Sequence, residues 1–80
     1  MLDEGIDRRV RATLALALGI EVPKEVPFNR ADTPAWDSFK HVQVIFMLED
    51  EFGVQFSENE FHLLTSTDGI TKLLVARLAS

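Results

Sequence analysis

All three prolines of this chain, Pro23, Pro27 and Pro34, fall inside one stretch between Gly19 and Trp36. A proline fixes its own φ, donates no N–H and cannot occupy a helix interior. That stretch is therefore a connection, and the sequence on either side is free to be helical. From Gly19 to Trp36 it is 18 residues long, more than most loops of compact domains. Val22, Val26, Phe28 and Trp36 argue against disorder, and we expect them to anchor the loop to a core.

Ile6, Val10, Leu14 and Leu18 recur at every fourth position and form one apolar stripe. A first helix is expected from Asp3 to about Leu18, with Gly19 as its stop. Arg8, Arg9 and Arg11 read as a solvated face. After the loop, a second helix runs from near Ser38 to Phe52, with Gly53 as a left-handed cap and Asp37 or Ser38 as the N-cap. At roughly 100° per residue, His41, Val42, Ile45, Leu48 and Phe52 fall on one side, the expected core side. Phe39, Gln43, Phe46, Met47 and Asp50 fall on an outer side, where exposed phenylalanines and a methionine are unusual and read either as a partner surface or as extra core. Ser57-Glu58-Asn59-Glu60 has the capping-box form Ser-x-x-Glu and opens a short third helix carrying Phe61 and Leu64. Ser66 caps a last helix to about Leu78, with Ile70, Leu73, Leu74 and Leu78 facing inward. The expected fold is all-α, a four-helix bundle in one domain, residues 1–80, with a long loop between helices 1 and 2.

Composition narrows the function. The chain is 80 residues, 46% hydrophobic and 26% charged, which matches soluble globular chains and not disordered or membrane ones. Cysteine is absent, which removes disulfides, thiolate nucleophiles and cysteine-ligated metals. Packing alone must hold the fold, with a margin of about 3–5 kcal/mol at this size. The net charge of −5 disfavours nucleic acid. No basic stretch followed by an apolar run opens the chain, and no run is long enough to span a bilayer. A cytoplasmic monomer with no membrane insertion is expected.

Catalytic constellations are weak. His41 and His62 lie on different helices. Ser38, His41 and Asp37 crowd one helix start, with nothing to form an oxyanion hole. Glu49-Asp50-Glu51 lacks the alternation and central glycine of a calcium loop. There is no glycine-rich phosphate cradle. We expect no enzyme. What remains is Ser38, an accessible hydroxyl where a long loop meets a helix N-terminus, a place that favours an attached phosphate. A plain N-cap is the competing reading.

Trp36-Asp37-Ser38-Phe39, then Val42, then Leu48-Glu49-Asp50-Glu51-Phe52-Gly53-Val54, and later Leu64-Thr65-Ser66, resemble the acyl carrier protein family. That family opens its second helix with Asp-Ser-Leu and closes it with an acidic stretch and Phe-Gly. Ser38 and Phe52 stand 14 residues apart, in the family's register. The similarity spans about residues 10–78. It implies that Ser38 is esterified with 4′-phosphopantetheine, taken from coenzyme A by a magnesium-dependent phosphopantetheinyl transferase. The arm's thiol then holds an acyl or aminoacyl group as a thioester. By the same resemblance, Asp37 helps the transferase engage. Phe39, with Phe46 and Met47 beside it, is gripped by partner enzymes. Glu49, Asp50 and Glu51 supply acidic surface for basic partners.

The chain departs from the fatty-acid type after the serine, where Lys40 and Gln43 replace acidic residues. His41 stands where the family's acyl-sheltering cavity opens. Trp36 resembles free-standing carriers of specialised pathways, in polyketide, nonribosomal-peptide or sugar-modifying chemistry. Expected partners are therefore a loading ligase and downstream synthase or transferase enzymes of such a pathway, outside bulk lipid synthesis. An aminoacyl or peptidyl carrier is the alternative within the family. A helical protein–protein adaptor with no prosthetic group is the alternative outside it.

Overall fold

Ile6, Val10 and Leu14 are almost fully buried, together with Leu18, so the fourfold stripe of the first helix does face the core. The computed structural model describes residues 2–79. Helix α1 spans Leu2–Leu18, α2 spans Ser38–Phe52 and α3 spans Thr67–Ala79. Two 310 helices sit between them, at Arg30–Asp32 and Glu58–Leu63. The described residues are thus all-helical, with no strand and one isolated antiparallel bridge between Asn29 and Ser66. Helix α1 packs against both α2 and α3.

The ends of α1 and α2 follow the expected chemistry. Gly19 and Gly53 stand at φ 69° and 65°, the left-handed conformation that a side chain resists. Gly53 donates to Glu49 O, closing the last turn of α2. Ser66 Oγ accepts Gly69 N–H at 3.0 Å and caps the first turn of α3. The expected short third helix forms with 310 geometry, its capping box closed by Glu60 Oε1, which accepts Ser57 N–H at 2.9 Å. Arg77 of α3 donates to both Glu60 and Gln55 O, so this 310 helix is tied down by the last helix.

Arg11 organises the long connection. Its Nε pairs with Asp7 at 2.8 Å, while its Nη1 donates to the carbonyls of Pro23 and Val26. The guanidinium is largely buried, which corrects the reading of the arginines as a solvated face. Arg9 departs from it too, lying over the Phe52 ring at 4.4 Å and pairing with Glu51. Val26 is not an anchor by its side chain, which is exposed; its carbonyl is the attachment. Val22 and Phe28 do pack on the core, and Trp36 is buried with its ring stacked 6.1 Å from Phe28. Farther on, Arg30 N–H donates to Thr65 O and Thr67 N–H to Phe28 O, which ties the connection to the start of α3.

Three core assignments change. Val42 is 49% exposed, and Val44 is fully buried in its place. The buried set His41, Val44, Ile45, Leu48 and Phe52 centres the inward face so that Val42 lies roughly 100° off it, on the flank of Phe39 and Phe46. Leu78 is exposed at the end of α3, one residue before the helix stops.

Candidate functional site

The start of α2 is built by Asp37. Its backbone is extended (φ −88°, ψ −175°), and its Oδ1 accepts Lys40 N–H at 2.9 Å. Its carbonyl accepts the first helical bond, from His41 N–H at 2.8 Å. Asp37 is therefore the N-cap and Ser38 the first residue of the helix. This separates the two alternatives left open by sequence. The Ser38 hydroxyl is not consumed in capping, and its residue is exposed.

The partner of Ser38 comes from the loop. Arg30 Nη2 donates to Ser38 Oγ at 3.1 Å, and Arg30 Nε donates to Trp36 O at 3.1 Å. The guanidinium is anchored to the backbone two residues before the serine and aimed at its hydroxyl. No carboxylate pairs with it among the described residues. Arg30 also lines an open cleft of about 610 Å³ with Pro34, Trp36, Thr65 and Ser66.

Behind the serine lies a hydrogen-bonded chain. Trp36 Nε1–H donates to His41 Nδ1 at 3.0 Å. An indole only donates, so Nδ1 is bare and the proton sits on Nε2. That nitrogen donates to Phe61 O at 3.1 Å. Burial is the main cause that lowers the His41 pKa below its ordinary 6.5. The Phe61 carbonyl opposes this, and the Arg30 charge adds to it. Both ring nitrogens are thus committed to holding Trp36, α2 and the second 310 helix together. This is structure, with no spare nitrogen for chemistry.

The outer face of α2 carries Phe39 (71% exposed), Phe46 (63% exposed) and Val42, three apolar side chains in a row. Met47 differs from expectation, since it is half-buried and packs against the core. Lys40 and Gln43 are half-buried, and Asp50 is exposed. The acidic stretch is less available than its composition implies. Glu49 Oε2 accepts Phe56 N–H at 2.8 Å, and Glu51 is engaged by Arg9. Asp50 is the one member of the three with no polar partner among the described residues.

Reading the sequence did not find Arg30. It lies in the irregular loop, eight residues before Ser38, where no helical period relates the two. The bond from Arg30 to Trp36 O and the 310 turn bring it to the hydroxyl. Comparison with known proteins adds no relative: no family model matches the chain, and no curated protein or solved structure matches it either.

Proposed function

We propose that this chain is a carrier domain of the acyl carrier type, modified on Ser38 with 4′-phosphopantetheine. The observation that supports it is the Ser38 oxygen itself. It is exposed, released from capping by Asp37 and held beside a guanidinium that has no carboxylate partner among the described residues. Residues around it fit the group: the negative phosphodiester meets Arg30 and the positive end of α2. When bound, the arm supplies a thiol that carries an acyl or aminoacyl group as a thioester.

Ser38 Oγ forms the bond to phosphorus as the phosphoanhydride P–O bond of coenzyme A breaks. Adenosine 3′,5′-bisphosphate leaves with the electron pair, and the hydroxyl proton passes to a base of the transferase. Asp37 fixes the turn that presents the serine and offers the transferase a carboxylate next to it. Phe39 and Phe46, joined by Val42, form the apolar surface that partner enzymes grip, with Asp50 as the acidic contact beside them. Lys40 and Gln43 make the surface next to the arm less negative than a fatty-acid carrier's. That favours a specialised pathway, or an aminoacyl carrier, over bulk fatty-acid synthesis. The domain performs no reaction itself. No helix among the described residues is long and apolar enough to cross a membrane, and we place the carrier in the cytoplasm as a monomer.

The test is intact mass after incubation with coenzyme A, magnesium and a broad-specificity phosphopantetheinyl transferase. A gain of one arm, abolished in Ser38→Ala, is the expected result. An unchanged mass with several transferases would overturn the reading. It would leave the adaptor, which the exposure of Phe39 and Phe46 favours, with their surface docking an amphipathic helix.

A further inference from the structure

We infer that Arg30 is the clamp for the phosphodiester at Ser38, a positioning residue that orients the arm. The inference rests on the carrier reading above and deepens it. A guanidinium has five N–H donors. Here one goes to Trp36 O and one to Ser38 Oγ, which leaves three without a protein partner among the described residues. No carboxylate among the described residues pairs with the charge, although Asp32 and Asp37 lie close in sequence. The side chain is nonetheless not a loose surface arginine, because its Nε bond to the Trp36 carbonyl fixes where the fork points.

An anchored cation with no carboxylate partner among the described residues and with donors to spare, in contact with a modifiable oxygen, matches a phosphodiester in charge and in geometry. Arginine takes phosphate oxygens through two parallel N–H bonds, which fixes direction as well as distance. Before modification, the same contact favours loss of the hydroxyl proton, since a neighbouring positive charge stabilises the developing alkoxide. After modification, the guanidinium would hold the non-bridging oxygens and so orient the start of the arm. Its charge already reaches His41, where it helps hold the ring neutral.

The experiment compares holo-protein from wild type, Arg30→Gln and Arg30→Lys by phosphorus and proton NMR. In wild type, the Arg30 guanidinium protons should show nuclear Overhauser contacts to the arm's methylene next to phosphorus. The phosphorus resonance should also be displaced from that of a free pantetheine phosphodiester. Arg30→Gln should abolish both and lower kcat/KM for arm transfer on the order of tenfold. Arg30→Lys should recover part of the displacement, through charge without the fork. Identical phosphorus resonances in folded wild type and Arg30→Gln would overturn the assignment. So would absence of the contact in wild type, which decides the matter even if Arg30→Gln does not fold. A wild type that accepts no arm removes the carrier reading and this inference with it; an arm that ignores Arg30 removes the inference alone.

Discussion

Trp36 and His41 share a buried hydrogen bond of 3.0 Å that joins the last residues of the long loop to the first turn of α2. The bond requires a neutral imidazole, because a protonated Nδ1 cannot accept. Trp36→Phe removes the donor and some packing, and leaves a buried acceptor bare. It should cost about 1–3 kcal/mol in urea unfolding.

The same bond sets a pH dependence. The folded-state pKa of His41 lies below its ordinary 6.5. The unfolded chain therefore takes up a proton first as pH falls, and stability declines from near pH 6.5 downward until the folded pKa is passed. His41→Gln should flatten this limb of the stability curve. The carboxyl of Glu60 lies below its ordinary 4.5, held first by the Ser57 N–H and then by Arg77. Its contribution is lost only as pH falls below that value, so chemical unfolding at closely spaced pH should resolve two limbs.

Val42 and Val44 exchange the roles expected of them, and two variants check it. Val44→Ala empties a fully buried position and should cost about 2 kcal/mol. Val42→Ala should stay within about 0.5 kcal/mol. Phe39→Ala should also leave unfolding nearly unchanged and, on the proposed carrier reading, slow transfer of cargo to partner enzymes. A large loss of stability in Phe39→Ala would show that the ring is packed and not presented.

Gly69 stands in the first turn of α3, where alanine is ordinarily the better helix former by about 1 kcal/mol. A Cβ there meets the Leu63 carbonyl oxygen at 2.5 Å, a backbone atom that cannot swing away. Gly69→Ala should therefore lower the thermal midpoint, against its helix propensity.

Arg11→Gln should leave the helices formed and speed amide hydrogen exchange across residues 20–28. The bonds it removes go to the Pro23 and Val26 carbonyls of that segment.

Much of this molecule was legible in sequence because helices carry their own ruler. Ile6, Val10 and Leu14 declare a face by spacing alone, and Gly53 and Ser66 announce an end and a beginning by local chemistry. Side chains near the edge of a face were less clear. Val42 and Leu78 are apolar, but no period says how wide a stripe its neighbours will cover. Arg11 and Arg30 were least legible. Each acts by reaching across irregular backbone, and the partner is decided by where a proline-rich loop turns. The partners of the acidic stretch were hidden for a related reason. Composition counts Glu49 and Glu51 as surface charge and does not show that a backbone amide and Arg9 engage them.

The pairing of Arg30 N–H with Thr65 O and of Thr67 N–H with Phe28 O couples distant parts of the chain. The backbone of Arg30, whose guanidinium meets Ser38, is thereby tied to the root of the final helix. A protein that leaned on Thr65 and Ser66 could thus alter what happens at the serine without ever touching it. Any redesign of the surroundings of Ser38 would do well to begin at that remote seam.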